Sequence, residues 1–201
     1  KKKAVTIMGP RQVGKSTLAD AIIPKDARIL EINGDNTDVQ TMFINVDEAK
    51  MKVLIGNKNF LFVDEAQKIE NVGNMLKIVA EKFKDVKIIV TGSSAFKLAE
   101  AVNESLTGRK REFRLYPLSF KEMADETSTL EESRMIDHRL IYGYYPEVVT
   151  SPGDEKEVLK ELIDSYLYKD VMEENNIAKP DKLVKLVQAL AFQIGSTISA
   201  N

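Results

Sequence analysis

Short apolar runs alternate with amphipathic stretches along the first part of the chain. Ala4-Val5-Thr6-Ile7-Met8, Arg28-Ile29-Leu30-Glu31-Ile32-Asn33, Phe60-Leu61-Phe62-Val63 and the run from Val86 to Val90 have the length and composition of strands. Glu112-Phe113-Arg114-Leu115 completes a set of five. The unbroken apolar character of Phe60 to Val63 marks a strand covered on both faces. Helical periodicity lies between the runs. Leu18, Ala21 and Ile22 share a helical face that Pro24 terminates. Gln40 to Ile55 reads as mostly helical up to Gly56, and Met75, Ile78, Val79 and Phe83 recur at helical intervals between Val72 and Phe83. A further helix is expected over roughly Ala95 to Leu106. Strands alternating with helices predict an α/β fold, with a five-stranded, mainly parallel sheet between helices.

From Ser119 the strands stop. Ser119 and Glu122 have the spacing of a capping box. Glu131 to Tyr142 is expected to be helical until Gly143-Tyr144-Tyr145-Pro146 breaks it. Val158, Leu159, Leu162, Ile163, Tyr166 and Leu167 line one face of a longer helix. Asn175 to Pro180 is polar and reads as a boundary, after which Asp181 can cap a last helix with Val184, Val187, Ala191 and Ile194 on its apolar face. The expected division is residues 1–118 as a sheet domain, 119–174 as a helical lid and 175–201 as the first helix of a further domain. The first strand begins close to residue 1 and the last helix has no visible partner, so neighbouring segments are expected on both sides.

The strand and helix pattern frames one motif. Gly9-Pro10-Arg11-Gln12-Val13-Gly14-Lys15-Ser16-Thr17 fits G-x-x-x-x-G-K-[ST] between a strand and a helix. Glycines let such a loop turn tightly, and its N–H groups and the positive end of the helix then face a polyphosphate. Lys15 would reach the β- and γ-phosphates, and the Ser16 hydroxyl would ligate magnesium. Arg11 and Gln12 would contact phosphate or line the pocket edge.

Asp64 and Glu65 end the third apolar run, where ligands gather in open α/β sheets. Asp64 can hold magnesium, and Glu65 is the candidate general base for an attacking water. Thr91 and Ser94 follow the next strand and could sense the γ-phosphate or cap a helix. The segment from Ser105 to Arg114 is the densest in basic residues. A solvated turn accounts for most of it, but Arg109 could be presented to a neighbouring subunit's γ-phosphate. Aromatic interleaving there is thin, which makes it a weak nucleic-acid motif. His138 stands in a helix with no ligand partner in view, which fits packing rather than catalysis.

Composition narrows the picture further. Twenty-nine basic and 31 acidic residues leave a net charge of −2, which argues against whole-protein attraction to nucleic acid. With no cysteine there are no disulfides, thiolate metal sites or cysteine nucleophiles, and a cytoplasmic setting is expected. No apolar run approaches the ~20 residues of a membrane span.

Taken in order, GPRQVGKST, FLFVDEAQKI, VTGSSA, LTGRKREFRLYPLSFKE and YGYYPEVV resemble a prokaryotic family of AAA-type ATPases. Its members join an N-terminal AAA domain to a C-terminal domain of poorly known function with a winged-helix-like start. The resemblance implies a P-loop NTPase fold of the additional-strand class, in which the Val86–Val90 strand lies between the P-loop strand and Phe60–Val63. It implies Gly14, Lys15, Ser16 and Thr17 on the nucleotide, Asp64 on magnesium, Glu65 as base, Ser94 or Thr91 as first sensor and Arg109 as an arginine finger. The lid turn at Gly143-Tyr144-Tyr145-Pro146-Glu147 departs from the AAA pattern in offering no second sensor arginine. The expected activity is magnesium-dependent ATP hydrolysis, with a homo-oligomer through Arg109 and a DNA or protein partner through the C-terminal domain. The alternative is a nucleotide-gated interaction module with little turnover. A small-molecule kinase ranks last, because only Arg134 and Arg139 could serve as lid arginines.

Overall fold

The computed structural model describes residues 3–93, 105–164 and 180–197. Two compact units divide the chain, Lys1–Met123 and Ala124–Asn201. The first holds β1 (Ala4–Met8), α1 (Lys15–Ile22), β2 (Ile29–Asn33), α2 (Thr37–Phe43), α3 (Glu48–Ile55), β3 (Phe60–Asp64), α4 (Val72–Lys82), β4 (Lys87–Gly92) and β5 (Lys110–Arg114). The division falls within α5 (Phe120–Glu126). The second unit holds α6 (Thr129–Arg134), α7 (Ile136–Tyr142), α8 (Pro146–Thr150), α9 (Glu155–Leu162) and α10 (Pro180–Ala191).

The sheet runs β2-β3-β4-β1-β5, and every pairing is parallel. The fourth strand therefore separates the P-loop strand from the third, the additional-strand order. Side chains of β3 alternate between the two faces. Phe60 and Phe62 join Ile7, Ala19, Ile23 and Ile89 on one face, whereas Leu61 and Val63 join Met51, Met75, Leu76 and Val79 on the other. That two-sided burial is why β3 carries no polar residue before Asp64.

Four expectations are corrected. The buried stripe of α1 is Lys15 and Ala19, continued by Ile23 at its C-cap, while Leu18, Ala21 and Ile22 are exposed. The loop turns Lys15 inward, and this fixes the helix phase at intervals of four. The stretch from Gln40 to Ile55 is two helices, because Asp47 accepts a hydrogen bond from the Lys50 N–H and starts α3 afresh. The stretch from Glu131 to Tyr142 is likewise divided into α6 and α7 at Met135. The last helix, described over Pro180–Ala191, already includes Asp181, which therefore lies within it and does not cap it. The helix expected over Ala95 to Leu106 falls largely outside the described residues, as do Tyr166, Leu167 and the polar boundary before Pro180.

In the second unit, Arg139 forms an ion pair with the buried Glu132 at 3.0 Å and sits over the Tyr144 ring. His138 pairs with Glu155 at 3.2 Å and leans on Tyr142. Backbone N–H groups at Gly153 and Glu155 hold the Glu155 carboxyl below its usual range. Among the described residues, no helix is long and apolar enough to cross a membrane.

Candidate functional site

The loop between β1 and α1 is fixed by a close approach. A Cβ on Gly9 would lie 2.1 Å from the Leu115 carbonyl oxygen, so only glycine fits against the chain that follows β5. The Leu115 N–H donates to the Met8 carbonyl at 2.7 Å and keeps the two segments together. Val13, within the loop, is buried. Gly14 has φ 89° and stands at the N-cap of α1, in the left-handed region glycine occupies at no steric cost. It brings no side-chain cap, and the first turn of α1 carries no acidic residue. Neither the cap position nor an acidic first turn thus competes with an anion for the first N–H groups of the helix.

Lys15 is 4% exposed. Its Nζ donates to the Pro10 carbonyl at 2.7 Å and lies 3.8 Å from Glu65 Oε1. Burial drives its pKa below the usual lysine value, and the Glu65 and Asp64 carboxylates only partly offset this. A buried cation with incomplete compensation favours an anionic ligand.

Across from it, β3 delivers Asp64 and Glu65. The Ser16 hydroxyl donates to the Asp64 carboxylate at 3.0 and 2.9 Å. The Thr91 hydroxyl, from β4, also donates to Asp64 Oδ1 and lies 3.4 Å from the Glu65 N–H. Strand order explains the meeting. With β4 between β1 and β3, Thr91 pairs with Ile7 on one side and follows Val90, the partner of Val63, on the other. Ser16, Asp64 and Thr91 are hard oxygen donors, a set that suits magnesium. Among the described residues no group of three or more His, Cys, Asp or Glu side chains could hold a metal by itself. Magnesium here would depend on oxygens brought by the ligand, its usual habit.

Glu65 has φ 47° and Gln12 φ 58°, both in the left-handed region without being glycine. Such backbone strain concentrates at functional sites. The Glu65 side chain is largely buried, and Gln67 Nε2 donates to its Oε2. Gln67 thereby holds the carboxylate from a one-turn 3-10 helix, Ala66–Lys68. Nothing in the sequence pattern assigned Gln67 this part; its proximity to Glu65 was the available signal.

The structure brings Lys15, Ser16, Asp64, Glu65 and Thr91 together. Thr17 and Gln12 are exposed, and Arg11 is half-buried in the loop. Ser94 lies outside the described residues. Arg109 is elsewhere: its carbonyl accepts from the Ala4 N–H at 2.8 Å, at the opposite end of β1, and its guanidinium pairs with Glu81 at 2.6 Å. Five residues of strand separate Ala4 from Gly9, roughly 16 Å.

A family model described as an AAA domain matches residues 1–124, and a second, described as a domain of unknown function (DUF8612), matches residues 133–201. An uncharacterized protein of Methanocaldococcus jannaschii, MJ1544, is 29% identical over 98% of this chain and 48% of its own length. An uncharacterized protein of Haemophilus influenzae is 28% identical over 71% of the chain and 36% of its own length. The chain thus spans about half, or less, of the curated relatives it matches.

Proposed function

The chain belongs to the AAA domain family, and from that premise we propose that it is a magnesium-dependent ATPase that hydrolyses the γ-phosphate by attack of water. The observation that carries the reading is the meeting of Lys15 with Glu65, and of Ser16 and Thr91 with Asp64, at the carboxyl ends of β1, β3 and β4. Nucleotide binding is what an AAA domain provides; hydrolysis rests on the carboxylate beside the lysine.

The residues divide the work by position. The loop N–H groups and Lys15 hold the phosphate chain, with Gly9, Pro10, Arg11, Gln12, Val13, Gly14 and Thr17 shaping the cradle. Ser16 and Asp64 would hold magnesium. Bound there, magnesium would neutralise charge on the β- and γ-phosphates. Glu65 orients the attacking water and takes its proton, and Gln67 keeps the carboxylate aimed. Thr91 supports Asp64 and the Glu65 backbone, so its sensing would act through them. Arg109 would serve a neighbouring copy. The kinase alternative loses ground, since Arg139 is committed to Glu132.

The decisive experiment is phosphate release from ATP and GTP, with and without DNA, for wild type and Glu65→Gln. Wild type should turn over ATP, and Glu65→Gln should lose ~100-fold in rate while still binding nucleotide. Equal rates for both proteins would remove the enzymatic reading and leave the nucleotide-gated switch. Stimulation by DNA would support DNA as the partner.

A further inference from the structure

The sheet carries a second concavity at its other end. A cleft of about 530 Å³ opens where β1 and β4 begin and α4 ends. Its walls are Ala4, Ala80, Phe83, Val86 and Ile88, an apolar lining set by the strand starts and the last turn of α4. The volume lies within the range of small-molecule pockets.

Its rim carries a surplus of positive charge. Lys3, Lys84, Lys87 and Arg109 line it, and Glu81 is the one carboxylate among the described lining residues. The Arg109 guanidinium already pairs with Glu81 at 2.6 Å, and this pairing holds the Glu81 carboxyl below its usual range. Lys87 Nζ sits 4.9 Å from the centroid of the Phe60 ring. Lys3 and Lys84 are exposed, and no lining carboxylate answers them. An apolar floor under surplus positive charge is complementary to a ligand with an apolar body and an anionic head. Inorganic phosphate would leave the floor uncovered, and a neutral apolar ligand would leave the rim unanswered.

We propose that this cleft binds an amphipathic carboxylate, an aryl or short alkyl body ending in a carboxylate group. The same chemistry is offered by a small organic acid and by an apolar C-terminus of a polypeptide. The site is separate from the phosphate loop, which leaves β1 at its opposite end, and does not depend on nucleotide hydrolysis.

Calorimetry and 1H–15N chemical-shift mapping of the full chain test it, with 4-phenylbutyrate, its neutral amide and the blocked dipeptide acetyl-Leu-Phe bearing a free carboxylate. At least one carboxylate should bind saturably below about 10 mM, with the amide ~5-fold or more weaker. The tighter of the two carboxylates identifies the source, organic acid or chain terminus. Shifts should centre on Lys3, Ala4, Lys84 and Ile88. A Lys3→Glu, Lys84→Glu double variant alters only exposed side chains. It should lose ~10-fold or more in affinity with unchanged circular dichroism and ATP affinity. Lys15→Met should bind the carboxylate as wild type does, which separates this site from the loop. Absence of saturable binding, equal affinity for acid and amide, or shifts confined to residues 9–17 would overturn the proposal.

Discussion

Lys15 shows how a single residue sets function against stability. Its ammonium is buried beside two carboxylates, yet burial outweighs them and lowers its pKa from the usual 10.5. The unfolded chain therefore holds this proton more tightly than the folded one. Between the lowered value and 10.5 the unfolded state binds more protons, so stability must rise with pH across that window. At neutral pH the residue costs the nucleotide-free fold stability, and bound phosphate would recover it. Lys15→Met should accordingly abolish ATP binding while raising the melting temperature of the nucleotide-free protein. Denaturant titrations at about pH 7 and about pH 10 should show the advantage of the variant shrinking as pH rises. A variant less stable than wild type at both would contradict this account.

At the scale of elements, the strands were legible because burial on both faces leaves no polar residue to obscure an apolar run, as in Phe60 to Val63. Helix phase was harder. Leu18 and Ile22 have the residue types of a core stripe but are exposed, because the phosphate loop decides which way α1 faces. The break between α2 and α3 depends on a local side-chain cap at Asp47, a signal weaker than the helical periodicity running through it. The motif residues Lys15, Ser16, Asp64 and Glu65 could be found from spacing, whereas the Pro10 carbonyl that receives Lys15 is backbone and has no signature. Ser119 was readable and is reciprocal: its hydroxyl and N–H donate to the Glu122 carboxylate, and the hydroxyl accepts from the Glu122 N–H. These bonds lower the Glu122 pKa. Ser119→Ala should therefore destabilise by ~1 kcal/mol, checked by chemical denaturation at neutral pH. The Glu122 part of that loss should fade on acidification through its lowered pKa, since a depressed carboxyl contributes stability only above it.

At the scale of the whole molecule, the position of Arg109 constrains how a complete ATPase site could form. It stands at the start of β5, beside Ala4, while Gly9 begins the phosphate loop at the other end of the same strand. A side chain cannot cover the roughly 16 Å between them as well as the depth of the sheet. Any contact between this guanidinium and a γ-phosphate therefore needs a second copy, arranged head to tail so that one copy's β5 end meets another's loop. Its resting partner is not an obstacle, because Arg109 and Glu81 are both solvent-accessible and such exposed pairs are weak. Two inactive variants then offer a sharp test. Arg109→Ala keeps Glu65, and Glu65→Gln keeps Arg109. Mixed in equal amounts, they should regain activity, since random head-to-tail assembly joins an intact Glu65 to an intact Arg109 at roughly a quarter of interfaces. Turnover of either variant alone should stay low at all concentrations, whereas wild-type specific activity should climb with protein concentration. If the mixture stays as inactive as its components while wild type turns over ATP, or if Arg109→Ala hydrolyses ATP at the wild-type rate in dilute solution, Arg109 has no part in a neighbour's site and the salt bridge to Glu81 is its whole role.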